Sequence, residues 1–281
     1  MTRSMIALAV ALALAAGGVA TWAVLGKESR SAARTPIPGR ASHIRKTLFD
    51  ELVPVKLLNC DLERFGEKND GGYLVCANLL SSVQAGYSYG ISGYDGWGCD
   101  ISRRLHVRVH QYDCFDAREP ACAGGETAFH SECVAGARDV DKSGRLFDTI
   151  PNQLRKNGDD MKTLVLKIDV EGAEWDAFLN TPDEVLDRIA QLIVEFHGVA
   201  EERFVVAFWK LKKLFYVAHR HFNNRSCVDN AAPFPAWAYE VLLVNKKIGR
   251  ADPTQTADGL HPLDARNDPD APDCQAVSGS P

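Results

Sequence analysis

The chain has 281 residues, which is enough for one large domain or two small ones. Its 46% hydrophobic and 25% charged residues are typical of a globular protein and exclude collagen-like, coiled-coil and wholly disordered chains. The net charge of -5 belongs to residues 43–248, because a basic first segment and an acidic last segment cancel each other. A negatively charged body argues against binding to nucleic acid.

Residues 5–25 form an uncharged run of 21 residues rich in Ala, Leu and Val. As a helix this run would be roughly 32 Å long, enough to cross a bilayer. Residues 1–26 are therefore either a cleaved signal peptide or an uncleaved signal anchor. We favour the anchor because the apolar run continues through Trp22, Val24 and Leu25, past the expected cleavage region.

The orientation of that segment follows from two signals that disagree. More basic residues follow the run than precede it, and this pattern favours a body that faces the cytosol. All eight cysteines lie after the run without any CxxC pair, and an even number there favours disulfides in an oxidising compartment. Eight cysteines allow 105 pairings, which the sequence leaves open. We expect a protein of the secretory pathway, single-pass or secreted, with the cytosol-facing orientation still open.

The remaining boundaries come from composition. Residues 27–42 are rich in Ser, Ala, Arg, Pro and Gly and predict a stalk. Residues 43–248 predict the folded domain. Residues 249–281 hold many prolines and aspartates with scattered apolar residues, and they predict a disordered acidic tail.

Within the body, apolar extended runs alternate with helical patterns, which predicts an α/β fold with a mostly parallel sheet. A tight turn at Asp70-Gly-Gly-Tyr precedes these runs. The predicted strands are residues 85–91, 107–112, 128–134 (the weakest), 163–170, 190–196, 215–222 and 237–244. Helices are predicted over residues 172–179 and 201–214.

Ligands of open α/β sheets bind beyond the carboxyl ends of the strands, so those positions supply the candidate site. Gly90, Ser92 and Asp95 follow the first strand, where glycine lets the backbone approach a ligand closely. Asp113 ends the next strand about twenty residues later, as the ribose-binding acid of a nucleoside site does.

The next two strand ends carry candidates for chemistry. Asp169 lies at the tip of a buried strand, and Glu195 and His197 end the following strand on one face. His197 is a candidate general base because its ordinary pKa lies near neutral pH, although a structural histidine at the sheet edge explains it as well. Asn224 begins an Asn-Arg-Ser sequon, yet a glycan there would block a strand-end cleft, and we favour the cleft.

Several of these segments together resemble the FkbM-type methyltransferases, in particular their methyltransferase-like eukaryotic branch. The matching segments, which span about residues 65–245, are Asp70-Gly-Gly-Tyr, Tyr89-Gly-Ile-Ser, Val109-His-Gln-Tyr-Asp, Leu166-Lys-Ile-Asp-Val-Glu-Gly-Ala-Glu-Trp, Ile193-Val-Glu-Phe-His, Asn223-Asn and Tyr239-Glu-Val-Leu-Leu-Val-Asn. The resemblance implies a Rossmann-like class I methyltransferase fold, with a seven-stranded sheet whose last strand is antiparallel. It also implies that S-adenosylmethionine binds at Gly90 and Ser92, with Asp113 on the ribose and Asp169 beside the transferred methyl group.

The resulting expectation is an S-adenosylmethionine-dependent methyltransferase that acts on a hydroxyl of a small molecule or glycan. Asp169, His197 or Glu195 would remove the hydroxyl proton. A less favoured alternative places a divalent cation on Asp169 and Glu195. The other class of function is a secreted or anchored binding protein on a decayed methyltransferase fold, because the usual glycine-rich cofactor loop is reduced here to Gly90-Ile-Ser-Gly-Tyr-Asp.

Overall fold

The computed structural model describes residues 39–275. The helices are α1 (Arg40–Glu51), α2 (Gly96–Leu105), α3 (Ile150–Asn157), α4 (Glu174–Asn180), α5 (Asp183–Leu186) and α6 (Glu202–Leu214). The strands are β1 (Val55–Leu57), β2 (Leu62–Gly66), β3 (Gly72–Cys76), β4 (Ala85–Tyr89), β5 (Arg108–Tyr112), β6 (Glu126–His130), β7 (Cys133–Val134), β8 (Asp139–Val140), β9 (Leu146–Asp148), β10 (Leu164–Ile168), β11 (Ile189–His197), β12 (Phe215–Phe222), β13 (Ala238–Asn245) and β14 (Ala251–Thr256).

The central sheet has seven strands in the order β12-β13-β11-β10-β4-β5-β6. Strands β6, β5, β4, β10 and β11 are parallel, while β13 runs antiparallel to both β11 and β12. This confirms the predicted mostly parallel sheet with an antiparallel last strand. The weakest predicted strand is shorter than expected, since β6 ends at His130 and Val134 belongs to a separate small sheet with β9 and β8.

Both faces of the sheet are covered, which explains why its central strands are apolar almost throughout. All residues of β10 and β11 are buried. Along β10, Leu164, Leu166 and Ile168 face one core together with residues of α1, α3, α4 and α6. Val165 faces the second core, which α2 and the β2–β3 hairpin cover. The alternation of side chains along an extended strand therefore supplies both cores at once.

The order of the strands changes direction between β4 and β10. From β4 the chain adds β5 and β6 on one side of the sheet, and it then adds β10 and β11 on the other side. The two chain segments leave this point in close contact: the Asp169 N–H donates to the Tyr89 carbonyl at 3.1 Å, and the Gly90 N–H donates to the Tyr112 carbonyl at 2.9 Å. A Cβ on Gly90 would lie 1.6 Å from the Asp169 carbonyl oxygen. Only glycine fits here, and such a reversal is where α/β sheets bind ligands.

The acidic tail differs from the sequence expectation, because residues 249–275 are folded onto the domain. Strand β14 pairs antiparallel with β1, and Cys274 forms a disulfide with Cys227. The Asn224 amide donates to the carbonyls of Asp268 and Ala271 and so binds the tail instead of lining a cleft. Polar composition predicted disorder, but a covalent bond and buried amide contacts replace the missing apolar core. At the other end, residues 40–42 of the predicted stalk belong to α1.

All eight cysteines are paired, as Cys60–Cys76, Cys99–Cys122, Cys114–Cys133 and Cys227–Cys274. The four disulfides indicate an oxidising environment of the secretory type. Across residues 39–275, none of the helices has the length and apolar character needed to cross a bilayer. The predicted signal or anchor segment lies outside the described residues.

Candidate functional site

The carboxyl ends of β10 and β11 bring the three predicted catalytic side chains together. His197 Nε2 lies 3.8 Å from Asp169 Oδ1 and 3.9 Å from Glu195 Oε1. A fourth side chain joins them, since Glu171 Oε2 lies 3.5 Å from the same nitrogen. We call Asp169, Glu171, Glu195 and His197 the strand-end cluster.

Asp169 is the most exposed of the three predicted catalytic side chains, with 23% of its side chain accessible. The Tyr73 hydroxyl donates to its Oδ2 at 3.2 Å, and the Lys167 ammonium lies 3.7 Å from that oxygen. Burial raises the pKa of Asp169, and Glu174 and Glu171 add to this, while Lys167 and His197 oppose it. Tyr73 and Lys167 therefore contact Oδ2, and Oδ1 faces the other residues of the cluster.

His197 is fixed by its other nitrogen. Its Nδ1 lies 3.0 Å from Oε1 of Glu174, which is fully buried, and its backbone carbonyl accepts from the Trp175 indole at 2.7 Å. Burial lowers the pKa of His197, but Glu174 together with Asp169 and Glu171 outweighs burial and raises it. With Nδ1 occupied by Glu174, Nε2 is the nitrogen left for chemistry.

Glu195 is almost completely buried, and Asn223 at the end of β12 donates to its Oε1 at 2.7 Å. Burial raises the pKa of Glu195 well above its ordinary value, and the nearby carboxylates of Asp169 and Glu240 raise it further. A carboxylate in such surroundings is costly to keep charged without a cation.

The loop after β4 is the predicted cofactor loop, and Asp113 holds it in place. Asp113 Oδ2 accepts from the backbone N–H groups of Ile91 and Ser92 at 3.1 and 2.8 Å. Its Oδ1 accepts from Phe115 and Asp116 at 2.8 and 2.9 Å. The structure thus brings Asp113 to the loop, where these bonds occupy the acceptor positions that a ribose would use.

Asp95 lies at the start of α2 and has a structural role. Its Oδ1 accepts from the Gly98 N–H at 2.8 Å, as an N-cap does, and its Oδ2 accepts from Gln111 at 2.8 Å. Burial raises the pKa of Asp95, although Lys167 opposes this. Asp95 shapes the cavity wall next to Gly90 and Ser92.

Two cavities meet at Gly90, Ser92 and Asp169. The first, of about 270 Å³, is mostly apolar and reaches the aromatic side chains of Phe115 and Phe147. The second, of about 240 Å³, is charged. It is lined by Asp70, Tyr73, Asp95, Lys167 and Asp169, among others. Together they have the size of a small-molecule site, roughly 300–1,000 Å³.

Two of the three non-glycine residues with a positive φ among residues 39–275 lie at the same place. Ser92 and Glu171 have φ of 49° and 55°, in the left-handed region that few non-glycine residues adopt. Gly172 follows with φ of 104°. Such conformations cost about 1–3 kcal/mol each and persist at functional sites because the surroundings enforce them.

Sequence reasoning missed two members of this site. Tyr73 lay in a motif interpreted as a turn and as part of the family resemblance, and its hydroxyl reaches Asp169 because the hairpin folds over the end of the sheet. Glu174 lay inside the Glu-Gly-Ala-Glu segment without being singled out, and the structure places it in the first turn of α4. Neither contact is visible from spacing along the chain.

Comparison with family models, with curated proteins and with solved structures found no match for this chain.

Proposed function

We propose that this protein is an S-adenosylmethionine-dependent methyltransferase that methylates a hydroxyl group of a small molecule or glycan. The observation that carries the proposal is the cavity pair at the reversal point of the sheet, which meets the strand-end cluster at Asp169. Numbered one to seven along the chain, the strands of the central sheet lie in the order 3-2-1-4-5-7-6. This order is compatible with the Rossmann order 3-2-1-4-5-6, with the antiparallel seventh strand placed between the fifth and the sixth.

The cavities fit the chemical parts of that cofactor. The apolar cavity between Phe115, Phe147 and Val134 suits a purine ring. The charged cavity offers the carboxylate of Asp70 and the ammonium of Lys167, which suit the amino acid end of the cofactor. Gly90 lines both cavities, and its lack of a Cβ allows the close approach of the Asp169 carbonyl oxygen at this point.

When bound, the cofactor supplies a sulfonium methyl group, so that an O–C bond forms while the S–C bond breaks with its electron pair on sulfur. The residues of this chain then have two tasks, to hold the acceptor hydroxyl in line and to provide for the loss of its proton. Asp169 is the cluster member that faces both cavities. We assign to Asp169 the task of orienting the acceptor hydroxyl. His197 and Glu195, which lie next to Asp169, are the further groups that could take up its proton.

A non-catalytic binding protein on this fold is the second candidate, and one observation favours it. Four backbone N–H groups already donate to the Asp113 carboxylate. The residue expected to bind the ribose therefore has its hydrogen bonds made within the protein. In this case, the cavities would bind another small molecule and no methyl group would be transferred.

Calorimetric titration with S-adenosylmethionine and S-adenosylhomocysteine separates the two candidates. The methyltransferase should bind both with micromolar affinity, and a folded protein that binds neither below millimolar concentration contradicts the proposal. The chemical step is tested by S-adenosylhomocysteine release with a panel of sugar and phenol acceptors. Asp169→Asn should lower that release about 100-fold or more and keep cofactor affinity.

The place of action follows from the disulfides and the first segment together. We propose that the domain lies in the secretory pathway, either anchored through residues 5–25 or secreted. The disulfides favour the lumenal side over the cytosolic side that the basic residues indicate.

A further inference from the structure

The strand-end cluster carries more negative charge than its surroundings balance. The cluster's three carboxylates and that of Glu174 lie within 4 Å of His197, and all of them except Glu171, whose side chain is 79% exposed, are at least three-quarters buried. The ammonium of Lys167 lies near only one of them, at 3.7 Å from Asp169. Buried charges of one sign are costly unless a counter-charge lies among them.

His197 Nε2 points into the middle of this group without a hydrogen bond of its own. The side chain is only 7% exposed, and its single hydrogen bond among residues 39–275 is made by Nδ1 with Glu174. The nearest oxygens to Nε2 belong to Glu171, Asp169 and Glu195, at 3.5, 3.8 and 3.9 Å. A buried imidazole nitrogen that faces three carboxylates in this way has the arrangement of a metal ligand.

The spacing of the donor atoms suits one ion. One ligand atom each from Asp169, Glu195 and His197 lies within 4.8 Å of the other two. Nitrogen and oxygen ligands about 2.0–2.2 Å from a metal lie roughly 3–3.6 Å apart, so the widest of these donor pairs would close by roughly 1–2 Å when an ion binds.

Each ligand is also oriented from behind, as metal ligands usually are. The supporting bonds are Tyr73 Oη to Asp169 at 3.2 Å, Asn223 Nδ2 to Glu195 at 2.7 Å, and His197 Nδ1 to Glu174 at 3.0 Å. The last pair is a carboxylate–histidine pair, which fixes the tautomer and leaves Nε2 free to bind a metal.

We infer that Asp169, Glu195 and His197 Nε2 bind a divalent cation, with Glu171 as a further oxygen ligand. Several carboxylates with one imidazole suit Mn²⁺ better than Zn²⁺, which takes more nitrogen and sulfur, and better than Mg²⁺, which rarely takes imidazole. The role of this ion rests on the proposed function: it would bind the acceptor hydroxyl and ease loss of its proton to solvent before methyl transfer, in place of direct proton transfer to His197 or Glu195. The sequence alone favoured a site without metal, because the approach of Glu171 and the support from Glu174 were not visible in it.

The test is a Mn²⁺ titration of the full chain without cofactor, followed by the EPR signal of the free ion. We expect one ion per chain with micromolar affinity. Glu195→Gln and His197→Gln should each weaken binding at least tenfold, whereas Asp176→Asn, an exposed carboxylate change on α4, should leave it unchanged. Glu174 is a positioning residue, so Glu174→Ala should weaken binding about tenfold or more and Glu174→Gln, which keeps an acceptor for Nδ1–H, much less.

The outcomes separate this inference from the proposed function. A folded wild-type protein that binds no Mn²⁺ below millimolar concentration overturns the cation site, and its S-adenosylhomocysteine affinity then decides the proposed function by itself. Mn²⁺ binding without cofactor binding supports the site and contradicts the methyltransferase. Binding that survives both ligand substitutions, or Zn²⁺ binding without Mn²⁺ binding, contradicts the assignment. Circular dichroism of each variant establishes that it is folded.

Discussion

The Cys227–Cys274 disulfide should carry much of the stability of the folded C-terminal segment. The change to make is Cys227→Ser together with Cys274→Ser. Cys227 is exposed and Cys274 half-buried, so serine leaves no buried polar group without a partner. The effect of the double substitution is therefore the effect of the covalent bond itself.

The expected size follows from the length of the closed loop. The two cysteines are 47 residues apart. Loss of loop-closure entropy for such a loop amounts to about 4 kcal/mol at room temperature. Shorter loops of the same chain confine the unfolded state less, since Cys60 and Cys76 are only 16 residues apart and correspond to about 3 kcal/mol.

Urea unfolding at neutral pH, without reductant, measures this difference. The double variant should have a lower midpoint, and Cys227→Ala with Cys274→Ala should give nearly the same loss, because neither position is fully buried. Loss of less than about 1 kcal/mol would refute the reasoning, because it would mean that residues 249–275 do not unfold together with the sheet.

Three further results are expected. Gly90→Ala should destabilise the protein by more than about 2 kcal/mol in urea unfolding, because its Cβ would meet the Asp169 carbonyl oxygen at a positive φ, and an unchanged midpoint would argue against this close approach. Asp113→Ala should weaken S-adenosylhomocysteine binding at least tenfold in calorimetry by releasing the loop after β4, whereas full affinity in a folded variant would remove Asp113 from the site. Burial raises the pKa of Asp264, but His219, whose Nε2 lies 2.9 Å from Oδ1, outweighs burial and lowers that pKa, so this contact of the carboxylate stabilises the fold above the unfolded pKa of Asp264 and is lost as pH falls. Asp264→Asn should therefore lower the unfolding midpoint near pH 7 and much less below about pH 4, and an equal loss at both pH values would contradict this.

The sheet could be predicted because each strand has a recognisable pattern within its own short segment of sequence. The nine residues of β11 are all buried, and a short, mostly apolar run is typical of a strand covered on both faces. The same logic placed Asp169 and His197 at one edge, since parallel strands in one sheet end together. The partner of each side chain depends on packing between distant segments, and no pattern within one segment indicates it.

Composition alone predicted disorder for the C-terminal segment, which the structure shows folded over residues 249–275. Prolines and aspartates correctly indicate that residues 249–275 cannot form an apolar core. They do not indicate that Asn267, only 2% exposed, bonds to Glu240, or that a cysteine fixes the segment covalently. Likewise, the sequon at Asn224 is short enough to arise by chance, and the amide is 6% exposed and occupied by the tail.

Cys133 lines the apolar cavity and forms a disulfide with Cys114, the residue directly after Asp113. The bond joins the end of β5 to β7, so the shape of that wall depends on a reaction that takes place after synthesis. A chain in a reducing compartment would lack this disulfide, and the cavity wall would not be fixed until the chain reaches an oxidising compartment. If the proposed function holds, oxidation of these cysteines would confine cofactor binding to the oxidising compartment in which the disulfide forms.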